Sequence, residues 1–403
     1  MNWDFLIQNK DAISVTTDSR KVTPGCVFVA LKGEHFDGNL FVDQALRDGA
    51  AYVIKGDNAL RDLQDLAREW RRYLGIPVVG ITGTNGKTTT KELTAAVLST
   101  RYRIHYTQGN LNNSLGVPLT VLQITRAHQL AIIEMGASHP GDISELVEVA
   151  EPNYGLITNV GRAHLAGFGS FEGVQATKAE LYDFLLSHPQ STRGIFINED
   201  NPYLRNMLAG ACEKYPVTQL SRLSYHTIPM PQDTHLVGDY NAENIAAAMR
   251  VGEEFGIDAA TALAAVKAYV PTNNRSQAMH TDRNDLVVDA YNANPTSMQA
   301  AIQAFAARSA VLHSKEVYIL GGMRELGTYE QLEHQNIVNM LLERKAQNVF
   351  LVGAEYRHTT APYPIFDTVE LLIDYLQQQP LTGCRILVKG SRGNQLEKII
   401  PVL

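Results

Sequence analysis

Short, nearly continuous apolar runs recur along the chain and are separated by stretches with helical spacing. In the first part, the runs cover 26–31 and 51–54, and a helical pattern at 41–48 lies between them. Further runs follow at 78–81, 130–133, 156–158, 286–288, 317–320, 349–352 and 386–388. Such runs are typical of strands that are buried on both faces of a parallel sheet. Their alternation with helices predicts βαβ units and an α/β fold.

The runs group into three blocks, which predict three domains. A small α/β block occupies 1–76, a central block with a parallel sheet occupies 77–275, and a further α/β block occupies 276–403. A helix is expected to begin at Pro295, because an asparagine precedes it and proline is favoured at the first helical position. The region 187–235 shows no regular period, so the pattern predicts no elements there.

The composition limits the functions that the chain can serve. Hydrophobic residues make up 45% of the 403 residues and charged residues 19%, so the chain can bury a sizeable core. A net charge of -7 argues against nucleic acid as the main partner, because a phosphate backbone selects a basic surface. Cys26, Cys212 and Cys384 are odd in number and far apart, which argues against a disulfide framework or a zinc site. Since no signal-peptide pattern and no run of ~18 apolar residues is present, we expect a cytoplasmic protein without membrane insertion.

The segment 80–89, Gly-Ile-Thr-Gly-Thr-Asn-Gly-Lys-Thr-Thr, has the composition of a phosphate-binding loop. It follows a predicted strand and opens a predicted helix, where glycines let the backbone wrap an anion and successive N–H groups attract it. Lys87 could reach the β- and γ-phosphates, and the Thr88 hydroxyl could ligate Mg²⁺. The spacing departs from the strict pattern, because Ile81 stands at the first glycine position. The alternative is a glycine-rich turn with a surface lysine.

Three further residues could extend this site. Glu134 ends the run 130–133, and because ligands of open α/β sheets bind beyond the carboxyl ends of strands, it could hold Mg²⁺. An acid at such a position can also be simply solvated. His164 lies a few residues after the next apolar run, again at the carboxyl end of a strand, but a loop histidine can have a purely structural role. Lys178 falls on the apolar stripe of a predicted helix at 171–186, so it must snorkel, pair or change its chemistry.

Several motifs, in chain order, resemble the Mur ligase family of peptidoglycan synthesis, and specifically its MurF type. The segment 82–89 looks like the ATP loop of that family, and Glu134-Met135-Gly136-Ala137 looks like a second family motif. The other matching segments are 109–113, 116–118, 163–165, 167–169, 274–277, 289–295 and 389–392. One such segment alone would be modest support for the resemblance. The set is strong support, because its segments occur in the family order along most of the chain.

The resemblance implies an ATP-dependent ligase that joins D-alanyl-D-alanine to UDP-N-acetylmuramoyl-tripeptide through an acyl phosphate. ATP and Mg²⁺ are the implied cofactors, and we expect a monomer. Block 1–76 would bind the UDP-sugar, and block 77–275, a P-loop ATPase-like domain, would bind ATP. Block 276–403 would be Rossmann-like and would bring the incoming dipeptide.

The resemblance also implies roles for single residues. Lys87, Glu134, His164 and Lys178 match catalytic groups, and Lys178 matches a family lysine that can carry a carbamate. A carbamate would turn a cation on a buried stripe into an oxygen ligand, so that the implied metal ligands are Thr88, Glu134, His164 and Lys178. The implied ATP-binding residues are Gly83, Thr84, Asn85, Gly86, Lys87, Thr88, Thr89, Arg275, Asp289, Asn292 and Asn294. The implied substrate-binding residues are Ser19, Arg20, Asn112, Asn113, Lys389, Ser391 and Arg392.

The sequence departs from the family pattern in three places. Asn39 stands where histidine is frequent, Gly322 stands where aspartate is frequent, and the stretch between Asn198 and His235 is shorter than in relatives. These departures bear on details of sugar-nucleotide and ATP binding and leave the expected reaction class unchanged.

Three other functions remain as alternatives. A superfamily ligase could add a single amino acid, or glutamate to folate, although block 1–76 and the motif 291–294 argue against it. A regulatory ATPase would not need the polar loop at 389–392. A scaffold without ligase activity would not need an intact set of Lys87, Thr88, Glu134 and His164.

Overall fold

The computed structural model describes residue 3 and residues 11–216, 221–271, 275–312 and 314–403. Three sheets lie along the chain in sequence order, and helices surround them, which confirms the α/β fold class. The matching segment 274–277 falls partly outside the described residues, since Asn274 is not among them. No helix in the described ranges combines the length and apolar character needed to cross a lipid bilayer.

The first sheet is small and entirely parallel, in the order β1-β2-β3. Its strands are β1 (Val15–Thr16), β2 (Val27–Val29) and β3 (Tyr52–Ile54). Helix α1 (Val42–Arg47) connects the second strand to the third, as the pattern at 41–48 predicts. Strand β2 is buried along its whole length, which explains its continuous apolar run.

The central sheet has six parallel strands in the order β5-β6-β4-β7-β8-β9. Strands β4 and β6 are completely buried and coincide with the predicted runs at 78–81 and 130–133. The strands are β4 (Val78–Thr82), β5 (Ile104–Tyr106), β6 (Leu130–Glu134), β7 (Tyr154–Ile157), β8 (Gly194–Asn198) and β9 (Arg222–Tyr225). Since β4 has β6 on one side and β7 on the other, the chain leaves β4 at a topological switch point, where α/β sheets bind their ligands.

The third sheet also has six strands, in the order β10-β11-β15-β12-β13-β14. Strand β10 is an antiparallel edge strand, and all other pairs are parallel. The strands are β10 (Gln277–His280), β11 (Asn284–Asp289), β12 (Lys315–Gly321), β13 (Val349–Val352), β14 (Ile365–Phe366) and β15 (Cys384–Lys389). In the register of β11 with β15, Asp289 is paired with Lys389, so both side-chain positions lie at the carboxyl end of this sheet.

The helices pack on the faces of the sheets. After α1 they are α2 (Ala59–Leu74), α3 (Lys87–Leu98), α4 (Gly116–Leu122), α5 (Asp142–Ala150), α6 (Leu165–Phe168), α7 (Phe171–Ser187), α8 (Pro202–Lys214), α9 (Asn241–Glu254), α10 (Ala259–Ala268), α11 (Pro295–Leu312), α12 (Glu330–Glu343) and α13 (Val369–Gln378). Helix α11 begins at Pro295, as its N-cap pattern predicts, and helix α7 covers the predicted 171–186.

Helix α2 joins the first sheet to the central one. Its buried residues belong to one hydrophobic cluster that contains β2 and β3 on one side and α4 and α5 on the other. Trp70 is fully buried, and its indole Nε1 donates a 2.8 Å hydrogen bond to the Ile124 carbonyl. The Arg71 guanidinium donates to the Ala150 and Glu151 carbonyls. The first block is thus packed directly onto the central block. The domain boundary at residue 76 stays a prediction.

We predict that Trp70→Ala destabilises the protein by about 3–5 kcal/mol, because it removes a large fully buried side chain from the shared cluster. Thermal unfolding followed by calorimetry measures the effect. Arg61→Ala, on the exposed face of the same helix, is the matched control and should change stability by less than about 0.5 kcal/mol. Equal effects of the two substitutions would contradict the packing described for α2.

Candidate functional site

A cavity of about 920 Å³ lies where the carboxyl ends of the central and third sheets face each other. Both blocks contribute to its walls, and most of the residues singled out in the sequence line it. They are Thr84, Asn85, Gly86, Lys87, Thr88, Thr89, Asn112, Asn113, Glu134, His164, Arg275, Asp289, Asn292, Asn294, Lys389, Ser391 and Arg392. Gly83, Lys178, Ser19 and Arg20 are not part of this lining.

The predicted phosphate loop connects β4 to α3 at one wall of the cavity. Gly83 and Gly86 both have positive φ angles, 141° and 77°, which glycine adopts without strain. A Cβ atom at Gly83 would overlap the Thr158 hydroxyl, and one at Gly86 would overlap the Asn244 side-chain amide. The backbone conformation and the close packing therefore both require glycine at these positions.

Lys87 lies at the first residue of α3, and its side chain folds back over the loop. The Nζ atom donates hydrogen bonds to the carbonyls of Gly83, at 2.7 Å, and Thr84, at 3.0 Å. Burial lowers the pKa of Lys87 to about 8, although the nearby Glu134 carboxylate opposes this shift. An anion bound in the loop would favour the charged form of Lys87.

Glu134 ends β6 and is almost completely buried beside the loop. Its Oε1 atom accepts hydrogen bonds from the Thr88 hydroxyl, at 3.2 Å, and from the Asn112 amide, at 2.8 Å. Its Oε2 atom is buried and accepts no hydrogen bond within the described part of the chain. A carboxylate with one oxygen that accepts no hydrogen bond from the described residues, next to a threonine hydroxyl, offers the hard oxygen donors that Mg²⁺ prefers. The residues present therefore fit this cation.

His164 lines the cavity in a left-handed conformation, with φ of 48°. Its Nδ1 atom lies against the carboxylate of Glu325, which belongs to the third block, and the two form an ion pair only when the imidazole is protonated. Burial lowers the pKa of the imidazole, and the Glu325 carboxylate partly offsets the shift. His164 thus connects the two blocks at the cavity rim.

Lys178 is buried on α7, as its place on the apolar stripe predicts, with 2% exposure. Its Nζ atom lies 5.6 Å from the centre of the Phe168 ring. Burial, and secondarily the charge of Lys87, lower the pKa of Lys178 well below 10.5. Among the described residues, no cluster of three or more His, Cys, Asp or Glu side chains could hold a metal ion. Of the four predicted metal ligands, Thr88 and Glu134 contact each other directly. His164 instead contacts Glu325, and Lys178 contacts the Phe168 ring.

The third block, together with Arg275 at the end of the central block, supplies a cationic wall. The buried Lys389 forms a 2.6 Å ion pair with Asp289, and its Nζ also donates to the Asn292 carbonyl at 3.3 Å. Arg275 and Arg392 both face the ring of Tyr291, with guanidinium carbons 4.0 and 5.5 Å from its centre. Because Lys389 is neutralised by Asp289, the two arginines are better placed to meet an anionic ligand.

Two predicted substrate residues have structural contacts. Asn113 accepts a 2.8 Å hydrogen bond from the Gly116 N–H at the start of α4. The Ser391 hydroxyl donates to the carbonyl of Gly322 at 2.6 Å. At Gly322, where aspartate is frequent in the family pattern, a Cβ would lie 2.6 Å from a carboxylate oxygen of Glu355, so the Glu355 side chain would have to move to admit a side chain.

Contacts between the two blocks include residues that the sequence analysis did not identify. The side-chain amides of Asn85 and Asn294 hydrogen-bond each other, with the shorter contact at 2.7 Å. Arg162 follows β7 and forms a 2.9 Å ion pair with the buried Glu333 on α12. Its backbone N–H also donates to the Thr296 hydroxyl. The phosphate loop and the cavity rim are therefore bonded directly to the third block.

The fold and the cavity together define a multidomain phosphate-loop protein in which a second α/β unit completes the anion site. Three family models match the chain in order. The model described as Mur ligase family, catalytic domain, matches 13–98. The Mur ligase middle domain matches 81–252, and the model described as Mur ligase, glutamate ligase domain, matches 274–392.

Named relatives match nearly the whole chain. The UDP-N-acetylmuramoyl-tripeptide–D-alanyl-D-alanine ligase of Bacillus subtilis (strain 168) is 35% identical, with 96% of this chain and 92% of the relative covered. The ligase of the same name from Escherichia coli (strain K12) is 34% identical, with 97% and 93% covered. The chain belongs to the Mur ligase family.

Solved structures agree with this assignment. The MurF ligase of Thermotoga maritima in complex with ADP has a TM-score of 0.81 and 26% identity, with 97% of each chain covered. A MurF crystal structure from Acinetobacter baumannii has a TM-score of 0.80 and 26% identity, with 96% of this chain and 92% of that chain covered. The predicted three-domain Mur ligase architecture is confirmed by these neighbours.

Proposed function

We propose that this protein uses ATP to ligate D-alanyl-D-alanine to UDP-N-acetylmuramoyl-tripeptide. The observation that carries the proposal is that the phosphate loop and Glu134 share one cavity with the cationic wall. Full-length similarity to ligases of that name supports the choice of substrates. The cytoplasmic location and the monomeric state stay predictions from the sequence.

The chemistry follows from the need to activate a carboxylate. The terminal carboxylate of the tripeptide attacks the γ-phosphorus of ATP, which forms an acyl C–O–P linkage and releases ADP. The free amine of the dipeptide then attacks the acyl carbon, and the tetrahedral intermediate collapses to an amide and inorganic phosphate as the amine loses a proton. Lys87 and the loop N–H groups stabilise charge on the transferring phosphoryl group. No side-chain nucleophile is required, so the protein acts mainly by positioning its substrates.

Thr88 and Glu134 are the residues that would hold Mg²⁺, because their oxygens lie together beside the loop. The cation would neutralise phosphate charge when it is bound. His164, and Lys178 as a carbamate, are proposed as ligands of a second Mg²⁺. The loop residues, with Arg275, Asp289, Asn292 and Asn294, would bind ATP, and hinge closure of the third block would complete the site.

The first block is proposed to bind the UDP-sugar through Ser19 and Arg20. Both lie in a short 3-10 helix after β1, and Asp18 caps that helix. The Arg20 guanidinium forms a two-pronged ion pair with the Asp18 carboxylate and is 87% exposed. Because this ion pair is exposed to solvent, it contributes little free energy. The Arg20 guanidinium can therefore rotate from Asp18 to a diphosphate at low energetic cost.

We predict that purified protein releases phosphate from ATP only when both UDP-N-acetylmuramoyl-tripeptide and D-alanyl-D-alanine are present. Lys87→Ala is expected to abolish release and to leave the fold intact, because the loop loses its fixed cation. A coupled phosphate assay and circular dichroism measure the two properties. Release without either substrate would instead favour a regulatory ATPase, and release with a single amino acid or with folate would favour another amide ligase.

We predict that Arg392 recognises the carboxylate of the incoming dipeptide, since a guanidinium binds carboxylates through two parallel hydrogen bonds. Arg392 is exposed and lines the cavity just after β15. Arg392→Ala should raise the KM for D-alanyl-D-alanine much more than the KM for ATP. Arg344→Ala, an exposed arginine outside the cavity lining, is the control. Equal changes in both KM values would remove this role from Arg392.

We predict that Lys178 carries a carbamate, formed when its unprotonated amine adds carbon dioxide and releases a proton. Burial favours the unprotonated amine, and a bare ammonium has no acceptor for a metal. Lys178→Ala should be nearly inactive and partly restored by short carboxylic acids, and Lys178→Arg should stay inactive. Lys214→Ala, at an exposed lysine, is the control. A bare Lys178 amine in the electron density of a nucleotide-bound, closed form would end the proposal.

A further inference from the structure

Lys91 has a fully buried side chain and no part in the chemistry described above. It lies one helical turn after Lys87 on α3, and its side chain has 0% exposure. Its Nζ atom donates a 2.6 Å hydrogen bond to the Thr107 carbonyl and lies 3.1 Å from a carboxylate oxygen of Glu92. A lysine buried this deeply is rare unless it is paired, so its contacts require an explanation.

The same ammonium faces the unbonded side of Glu134. The Glu134 Oε1 atom is held by Thr88 and Asn112, whereas Oε2 accepts no hydrogen bond among the described residues. Lys91 Nζ lies 3.7 Å from Oε2, within ion-pair distance. The carboxylate is thus fixed by hydroxyl and amide donors at one oxygen and by a positive charge at the other.

Thr107 links these two residues into a closed set of contacts. The backbone N–H of Glu134 donates to the Thr107 hydroxyl at 2.9 Å, and the Thr107 carbonyl accepts from Lys91. Thr107 follows β5, the edge strand beside β6, and is itself fully buried. Thr107 therefore binds the backbone of Glu134, and Lys91, which Thr107 holds in place, lies against the Glu134 carboxylate.

Stability alone does not account for this arrangement, because a buried ion pair is often no more stable than an apolar pair of similar volume. Groups behind a metal ligand, in contrast, orient it and tune its affinity for the metal. We propose that Lys91 is a positioning residue that, with Thr107, holds the Glu134 carboxylate in the orientation needed to bind Mg²⁺ at the nucleotide site. This inference rests on the proposed function.

The test measures ADP binding to the full chain by calorimetry, in EDTA and over a series of Mg²⁺ concentrations. The readout is the Mg²⁺ concentration that gives half of the Mg²⁺-dependent gain in ADP affinity. Lys91→Met should raise this concentration by about 10–100-fold, the range typical for residues that orient metal ligands. The affinity for ADP in EDTA should stay unchanged, because Lys91 does not line the cavity. Lys214→Met, at an exposed lysine on α8, is the matched control.

Thr107→Val provides an independent route if Lys91→Met does not fold. It removes the hydroxyl that accepts from the Glu134 N–H and should also raise the Mg²⁺ requirement, whereas Thr107→Ser should not. A folded Lys91→Met with a lower Tm but an unchanged Mg²⁺ requirement would show a merely structural role and overturn the proposal. An unfolded Lys91→Met together with an unchanged Thr107→Val would do the same. A wild-type protein without any Mg²⁺-dependent gain would instead overturn the proposed function.

Discussion

The fixed shape of the phosphate loop between β4 and α3 is the constraint on which the rest of the site depends. The Thr84 N–H donates to the Asn159 carbonyl and the Asn85 N–H to the Asn159 side chain, while the Thr158 hydroxyl donates to the Asn85 carbonyl. These bonds come from the segment after β7, so the loop is held by the neighbouring strand at the switch point of the sheet. The first N–H groups of α3 have no acceptor within the helix, so they are available to bind an anion.

Because the two sheets face each other across one cavity, both chemical steps of the reaction can take place in it. The carboxyl ends of β11 and β15 carry Asp289 and Lys389 at paired positions, and both side chains face the loop of the central block. The Asn85–Asn294 contact joins the two blocks at the loop itself. Phosphoryl transfer at one wall and amine attack from the other then take place in a shared space. In such a site, alignment supplies much of the rate enhancement.

Seven strands of the two large sheets could be predicted, because strands that are largely buried on both faces leave continuous apolar runs in the sequence. Strands β5, β10 and β14 could not, since they are only partly buried and leave no such run. The region 187–235 shows no regular period, yet it contains β8, α8 and β9. Strand β9 alternates exposed and buried residues and is too short to show a clear period. Asn201 before Pro202 is a helix-start signal that could have predicted α8. The phosphate loop and Glu134 could be predicted because strand ends converge at such a site, whereas the cavity residues of the third block were implied only by the resemblance to the family. The Arg162–Glu333 pair could not, since it depends on how two separately folded sheets pack together.

The buried lysines around the cavity differ in how their charge is compensated, and this difference separates their roles. Lys389 is neutralised by Asp289, and Lys91 lies between Glu92 and Glu134, so neither needs an external anion. Lys87 donates only to loop carbonyls, and within the described ranges Lys178 forms no ion pair but lies against the Phe168 ring. Burying an uncompensated ammonium is unfavourable, and both of these groups have a lowered pKa. A bound phosphate would compensate Lys87, and conversion to an anionic carbamate would remove the ammonium of Lys178. Among the described residues, Lys87 and Lys178 are therefore the two of these lysines without an ion-pair partner. The proposed chemistry places a phosphate beside Lys87 and turns Lys178 itself into an anion.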